Sequence, residues 1–212
     1  MLILTLLDNP LAFLAYIIAI TIAFTVHEFA HAFAADQLGD DTAKLMGRMT
    51  LNPLVHLDPL GTIFLLAFGF GWGKPVPINP NQLKNRTDEI IVSLAGIFAN
   101  LILAALFYLP IRFNLVDTNS LITLILHFIV LINLYLAAFN ILPIPPLDGS
   151  HVIDVFLPPM TRIMFASVGT YLIIFILIFS SFGGGASILS TVMNPIVSFF
   201  SLVTTGNASV AF

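Results

Sequence analysis

Apolar segments recur along this chain with only short polar stretches between them, and they dictate the environment in which it folds. A helix that crosses the hydrocarbon core of a bilayer needs about 20 consecutive apolar residues. The sequence predicts four such helices, at residues 11–35, 89–109, 121–142 and 162–180. Since 58% of the 212 residues are hydrophobic and 8% are charged, we predict an all-α polytopic membrane protein.

Two further apolar segments are too short for an unambiguous span. Residues 60–72 form a stretch of about a dozen residues, interrupted by glycines, that suits a re-entrant hairpin. Residues 188–203 predict a further short helix that contains Pro195. The expected architecture is a bundle of about five to six transmembrane helices with a re-entrant hairpin and a short edge β element.

The basic residues predict the orientation in the membrane, because short cytoplasmic loops collect lysine and arginine. If residues 60–72 enter and return on the same side, only Arg112 lies opposite the other six basic residues, which are Lys44, Arg48, Lys74, Lys84, Arg86 and Arg162. We therefore expect the N-terminus outside and the end of the first helix at the cytoplasmic side. The net charge of −4 is spread thinly and forms no basic patch, so nucleic acid is not an expected partner.

Three ionisable residues lie inside the first apolar segment, which reads V-H-E-F-A-H-A-F at residues 26–33. Such residues cost at least about 2.5–3.5 kcal/mol at the bilayer centre, and they usually face a cavity and serve a function. His27 and His31 are four residues apart and share one face of a helix, so both imidazoles can bind one metal ion. Glu28 is then placed to act as general base toward water, and neutral imidazoles suit zinc.

A catalytic zinc ion takes three protein ligands and keeps one position open. The usual third ligands of soluble zinc proteases are missing, since Gln37 stands where a histidine would follow and Glu89 opens a separate helix. Asp148, in L-P-I-P-P-L-D-G, follows a helix that returns to the depth of the two histidines, so we expect it to be the third ligand. An ordinary D-G turn is the alternative interpretation, and His56 is the reserve ligand.

Two other interpretations of the three ionisable residues stay open. Polar residues in membrane helices also form hydrogen bonds that hold neighbouring helices together, and a structural scaffold of this kind would bind no zinc. A metal-binding or metal-transporting membrane protein would keep the ligands without hydrolysis. Glu28 argues against this second alternative, because hydrolysis requires a base and coordination alone does not.

Two motifs in this order resemble the signatures of the site-2 protease family, peptidase family M50. They are H-E-F-A-H at residues 27–31 and L-D-G at residues 147–149. The segments G-K-P-V-P at 73–77 and A-G-I-F-A-N at 95–100 also look like the small prokaryotic members, which have no PDZ or CBS domain. The resemblance covers most of residues 20–155.

The resemblance implies that His27, His31 and Asp148 hold one Zn²⁺ ion per chain and that Glu28 activates water. It also implies that Asn140 contacts the substrate or the developing oxyanion. The expected activity is that of a zinc metalloendopeptidase that cleaves membrane proteins within or near their transmembrane segments. The alternative is a catalytically silent metal-binding or metal-transporting membrane protein.

We also expect one membrane-embedded protease domain over residues 1–212. Its catalytic core would span about 10–158 and its C-terminal helices about 160–205. The expected location is the plasma membrane of a prokaryote, with the active site toward the cytoplasm. The partners would be the lipid bilayer and membrane-protein substrates, whose identity the sequence leaves open together with the oligomeric state.

Prolines predict irregular backbone in two places. Those at 143, 145 and 146 cannot continue a helix, so the chain is expected to unwind before Asp148, where protein or a wet cavity must surround it. In residues 74–79 the prolines allow at most an edge strand. Such an edge could pair with an extended substrate, and a plain loop is the alternative.

Four other residues have expected supporting roles. Gly96 and Asn100 are four residues apart on one helix, where they permit close packing and an interhelical hydrogen bond. His151 and Asp154 follow Asp148 closely and are expected to form a second layer around the metal.

Overall fold

The protein is described from a computed structural model that covers residues 8–68, 71–181 and 186–208. In chain order its helices are α1 (Pro10–Leu38), α2 (Thr42–Leu45), α3 (Pro59–Phe68), α4 (Arg86–Arg112), α5 (Leu121–Asn140), α6 (Ser150–Asp154), α7 (Pro159–Ser181) and α8 (Ala186–Thr205). A single 3₁₀ turn at Pro53–Val55 precedes α3.

Four helices in the described part of the chain are long and apolar enough to cross a membrane. They are Pro10–Leu38, Arg86–Arg112, Leu121–Asn140 and Pro159–Phe179. These spans correspond to the four predicted helices, and the all-α polytopic class is confirmed. The predicted segment at 188–203 is also helical, but its apolar part, Leu189–Thr205, is shorter than the other four.

Local sequence signals set both ends of α1. Asn9 precedes the helix, and its side chain accepts a hydrogen bond from the backbone N–H of Ala12, while Pro10 occupies the first turn. The helix ends at Gly39, whose φ of 111° lies in the left-handed region and whose N–H returns to the carbonyl of Ala35. One continuous helix of 29 residues therefore carries both histidines of the motif.

Small residues allow α1, α4 and α5 to pack closely around a common interior. From Ala15 onward every fourth residue of α1 is buried, and this row contains alanines on both sides of His27 and His31: Ala15, Ala19, Ala23 and Ala35. The row on α4 that is likewise spaced by four contains Val92, Gly96, Asn100 and Ala104, which are all buried. The two histidines thus point into the bundle and not toward lipid.

The segment around α3 leaves and returns on the same side of the bundle. Leu57 and Gly73 form an isolated antiparallel bridge that closes this hairpin. Gly61 of α3 lies directly against the backbone of Trp72, since a Cβ at this glycine would be 1.9 Å from the Trp72 carbonyl oxygen. The two ends of this segment therefore lie side by side, and the re-entrant hairpin stays a prediction.

The predicted edge β element at residues 74–79 is absent from the described structure, where this segment is irregular. Charged side chains bind its backbone groups in place of a neighbouring strand. Arg48 Nη2 donates to the Lys74 carbonyl at 2.7 Å, and Asp40 Oδ2 accepts from the Asn79 N–H at 2.6 Å. Residues 74–79 are therefore called the clamped loop, because side chains from other parts of the chain hold their backbone in place.

Candidate metal centre

Three side chains from two parts of the chain meet inside the bundle. The Nε2 atoms of His27 and His31 are 3.0 Å apart. Asp148 Oδ2 lies 3.1 Å from the first and 3.3 Å from the second. These three residues are here called the donor triad. Among the described residues they form the one group of three or more histidine or acidic side chains whose ligand atoms all lie within 4.8 Å of one another.

Asp148 reaches the triad because the chain folds back on the end of α5. After Asn140 the proline-rich segment turns, and the Gly149 N–H donates to the Asn140 carbonyl at 2.7 Å. A side chain at Gly149 would not fit, since its Cβ would lie 2.1 Å from the Ile141 carbonyl oxygen. The glycine of the L-D-G motif thus permits the close return that places the aspartate beside the histidines.

Each imidazole is held by a hydrogen bond at its other nitrogen. His27 Nδ1 lies 2.7 Å from the side-chain oxygen Oδ1 of Asn100, and His31 Nδ1 lies 2.7 Å from the backbone oxygen of Val92. Both oxygens only accept, so both Nδ1 atoms carry the proton. Each Nε2 then presents a lone pair to the centre of the triad, as is usual for histidines that bind metals.

The electrostatics of the triad fit a cation. Asp148 places a carboxylate oxygen beside the two imidazole nitrogens. Its Oδ2 is buried and has no hydrogen-bond partner despite the two nearby nitrogens. Two nitrogen lone pairs and an anionic oxygen therefore converge, and a divalent ion with nitrogen and oxygen ligands would satisfy all three.

Gly96 of α4 makes room for both imidazoles. A Cβ at this position would lie 2.5 Å from His31 Nε2 and 2.6 Å from His27 Cε1, well inside van der Waals contact. The close approach of α4 to α1 at the triad therefore requires glycine.

Glu28 is buried next to the triad, and its orientation is fixed by the clamped loop. Its Oε2 accepts a 2.7 Å hydrogen bond from the backbone N–H of Val76. Glu28, His31 and Asp148 line one cleft of about 290 Å³, together with Val76 and Pro146. A carboxylate and two potential metal ligands thus face the same space.

Two of the predicted site residues lie outside the donor triad. The side-chain amide of Asn140 donates to the Leu136 carbonyl one turn earlier at 3.1 Å. His56 is fully buried in the loop before α3, where its Nε2 lies 2.8 Å from the Thr50 carbonyl oxygen. His56 therefore has a partner in its own loop, and the reserve ligand is not needed.

An ionic cluster lies at the edge of the cleft. His151 and Glu89 both line the cleft. His151 Nδ1 is 4.0 Å from Asp154 Oδ2, and Arg162 Nε is 3.2 Å from Asp154 Oδ1. Arg162 Nη2 also lies 3.7 Å from Glu89 Oε2. This cluster joins the beginnings of α4 and α7 to α6.

The sequence did not reveal how the triad and Glu28 are supported. Asn100 was expected to contribute packing and an interhelical hydrogen bond, but its partner in that bond is a histidine of the motif. The available signal was the spacing of four between Gly96 and Asn100. It places both residues on one face of α4, and this face packs against the two histidines of α1. The Val92 carbonyl and the Val76 N–H are backbone groups, which no side-chain pattern can reveal.

Comparison with known proteins agrees with this geometry. The profile of peptidase family M50 matches residues 15–118 and 113–184. Three similar proteins are each named "putative zinc metalloprotease". YwhC of Bacillus subtilis is 41% identical over 180 residues, which are 80% of this chain and 82% of that protein. MJ0611 of Methanocaldococcus jannaschii is 35% identical over 145 residues, 68% of this chain and 71% of its own.

The third, Rip2 of Mycobacterium tuberculosis, is 27% identical over 179 residues, 80% of this chain and 69% of its own length. No solved structure matches the chain significantly. The family match includes both motifs of the triad, three of the four long apolar helices in full, and the first from residue 15 onward. The resemblance seen in the sequence is thereby confirmed, and the chain belongs to peptidase family M50.

Proposed function

We propose that this protein is a zinc endopeptidase that cleaves other membrane proteins within or beside the bilayer. The observation that carries the proposal is the donor triad, two members of which, His31 and Asp148, line one cleft with Glu28. Relatives that are named as zinc metalloproteases support zinc as the metal. The oligomeric state plays no part in the proposal, since all four groups come from one chain.

In this proposal His27, His31 and Asp148 hold the ion, and Glu28 moves the proton. Bound zinc supplies Lewis acidity that activates water and polarises a carbonyl oxygen. Glu28 accepts a proton from the attacking water molecule while the oxygen of that water forms a bond to the scissile carbonyl carbon. The same carboxylate then delivers the proton to the amide nitrogen as the C–N bond breaks. The Val76 N–H keeps the carboxylate in place during both transfers.

A transmembrane substrate must lose helical structure where it is cleaved. In a helix each backbone carbonyl accepts a hydrogen bond from the N–H four residues later. Unwinding at the scissile bond frees that carbonyl group for attack. Asn140 is proposed to contact this segment or its oxyanion after a rotation of its side chain.

Charge supports an active site on the cytoplasmic side. The C-terminal ends of α1 and α5 and the N-terminal ends of α4 and α7 lie at the triad's end of the bundle, as does the closed α3 hairpin. Six of the seven basic residues belong to these ends and loops, whereas Arg112 ends α4 on the opposite side. By the positive-inside rule, the triad's end faces the cytoplasm and the N-terminus lies outside.

Cleavage by purified protein in detergent tests the activity. A panel of single-span membrane proteins serves as substrate, and bound zinc is measured by elemental analysis in the same samples. We expect wild type to bind zinc and cleave, and Glu28→Gln to bind zinc without cleaving. Asp36→Asn is the matched control, because Asp36 is another carboxylate of α1 but pairs with Lys44, and we expect it to cleave normally.

Two outcomes would contradict the proposal. If purified wild-type protein contained no zinc, the donor triad would not be a zinc site. Equal cleavage by wild type and Glu28→Gln would remove Glu28 as the base.

The orientation can be tested independently, because the chain contains no cysteine. A single cysteine at Asn114 should react with a membrane-impermeant maleimide in intact cells. A single cysteine at Lys84 should react only after the membrane is opened. The reverse pattern would show that the triad's end faces outside.

A further inference from the structure

A row of buried polar side chains crosses three helices and ends at the donor triad. It consists of Asn133 on α5, Asn100 on α4 and His27 on α1. Both asparagines have no solvent exposure at all. Buried amides inside a membrane bundle are costly unless every donor and acceptor is bound. The proposed mechanism uses His27 and neither asparagine, so the row needs an explanation of its own.

The direction of the hydrogen bonds is set at Asn133. Its Nδ2 donates to the carbonyl of Ile129, one turn earlier on α5, at 2.7 Å. The other end of the amide, Oδ1, then faces α4 and accepts from Asn100 Nδ2 at 2.7 Å. An amide has one end that donates and one that accepts, so the contact with Ile129 determines which end Asn133 presents to Asn100.

The orientation of the Asn100 amide in turn determines which group faces His27. Its Nδ2 donates to Asn133 Oδ1 and also to the Ala23 carbonyl, at 3.1 Å. Both amide protons are therefore used, and only Oδ1 remains to face His27 Nδ1, at 2.7 Å. Rotating the Asn100 amide by half a turn would place its oxygen against two other oxygens. Its environment thus permits one orientation, which offers His27 an acceptor.

We infer that Asn133 and Asn100 are positioning residues that fix the tautomer of His27. An acceptor at Nδ1 keeps the proton on that nitrogen and leaves the Nε2 lone pair directed at the centre of the triad. The inference rests on the proposed zinc function and identifies how one of its ligands is prepared. His31 needs no such row, because its partner is the backbone carbonyl oxygen of Val92, which can only accept a hydrogen bond.

If the two asparagines had only a structural role, their hydrogen bonds would matter for helix packing alone. Zinc affinities of a set of variants distinguish this role from control of the His27 tautomer. The dissociation constant is measured by competition with a chromophoric chelator, on the full chain in detergent. Asn100→Leu removes the acceptor, and we expect zinc affinity to fall about 10- to 100-fold, as is typical when the partner of a metal-binding histidine is lost. Asn100→Asp keeps an acceptor toward His27 but loses both donors to Ala23 and Asn133, so we expect an affinity between those of Asn100→Leu and wild type.

Asn133→Leu should weaken zinc binding less than Asn100→Leu, because Ala23 still orients the Asn100 amide. Thr123→Val is the control for loss of a buried polar contact on α5. Its hydroxyl donates to the Asp117 carbonyl at the start of this helix, away from the triad, and we expect unchanged zinc affinity. Equal losses for Asn100→Leu and Asn100→Asp would overturn the inference, because packing would then explain both.

The tautomer itself can be read from zinc-free protein by ¹⁵N NMR of labelled histidine. We expect His27 to carry its proton on Nδ1 in wild type and Asn100→Asp, to show a weaker preference in Asn133→Leu, and to lose the preference in Asn100→Leu. His31 serves as the internal reference, with Nδ1 protonated throughout.

If Asn100→Leu does not fold, wild type and Asn100→Asp still decide the matter, since a proton on Nε2 of His27 in either would contradict the inference. This measurement needs no metal. Absence of zinc binding by wild type would refute the proposed function, while the tautomer would separately decide the role of the two asparagines.

Discussion

The helices that carry the site and the helix that follows them are built on different principles. In the most apolar 18-residue window of α5, 44% of residues are buried in the bundle, whereas the corresponding share in α7 is 11%. The α1, α4 and α5 interior contains alanine, glycine, histidine and asparagine, while α7 exposes large apolar side chains. Close packing of small residues thus creates the enclosed space in which polar groups can be held, and α7 mainly meets lipid.

The largest effect is expected where the site-bearing helices are closest. Gly96→Ala would place a methyl group 2.5 Å from His31 Nε2 and 2.6 Å from His27 Cε1. Both ligands must move or α4 must separate from α1, so we expect zinc affinity to fall by at least about 100-fold, beyond the loss of a supporting hydrogen bond. Overpacking of this kind also costs about 1–3 kcal/mol of stability.

Zinc titration and thermal unfolding of the purified variant in detergent would measure both effects. Phe98→Ala is the matched control, because Phe98 is two residues away on α4 and 58% exposed on the opposite face. It should bind zinc normally. Normal zinc binding by Gly96→Ala would show that the helices are less closely packed at the triad than the structure indicates.

A smaller loss, confined to catalysis, is expected from Val76→Pro. Proline has no N–H, so Glu28 would lose its 2.7 Å hydrogen bond while the donor triad stays intact. A hydrogen bond to a charged group contributes about 1.5–3 kcal/mol, which corresponds to about 10- to 150-fold in rate. Cleavage assays combined with zinc analysis should show slow turnover at normal zinc content.

Ile78→Pro is the matched control, because it adds a proline to the same loop without touching the Glu28 contact. It also distinguishes a loop that holds Glu28 from a loop that pairs with substrate. Activity in Ile78→Pro and loss in Val76→Pro would assign the loop to holding Glu28. Loss in both variants would favour the hypothesis that the loop backbone pairs with substrate, and full activity in Val76→Pro would remove the role in holding Glu28.

The sequence predicted the parts of this structure that follow from periodicity and motif spacing. Residues 11–35 were expected to be helical and form most of α1, and the prolines before Asp148 correctly indicated the end of α5. Prediction failed at the loop of residues 74–79, where an edge strand was expected. Proline spacing there excluded a central strand, but only the folded structure shows that distant charged side chains, such as Arg48 and Asp40, bind the backbone instead.

One contact of α7 sharpens the contrast between the two regions. Gly169 faces the proline-rich turn, and a Cβ there would be 2.4 Å from Pro145 Cδ. Pro145 precedes Asp148 by three residues, so Gly169→Ala should displace the aspartate ligand indirectly. We expect zinc affinity to fall about 10-fold, at the low end for loss of support to a metal ligand. Ser167→Ala, on the same helix with a hydroxyl bonded only within α7, should leave zinc titrations unchanged.

If Gly169→Ala also leaves zinc affinity unchanged, the turn is held by α5 alone and α7 does not support the site. A loss in Ser167→Ala as large as that in Gly169→Ala would instead indicate that α7 as a whole supports the turn.

The smallest effect is expected on the outer face of α7, at Val168→Ala. Val168 is 60% exposed and next to Gly169 in sequence. In a bilayer this side chain contacts lipid tails whether or not the helices have packed together. Truncation therefore loses little hydrophobic stabilisation. Changes at such positions usually stay within about 0.5 kcal/mol. Thermal unfolding and cleavage in lipid vesicles should both match wild type. A clear loss of cleavage at unchanged stability would mean that this face binds another helix, and α7 could then no longer be regarded as a lipid-facing element.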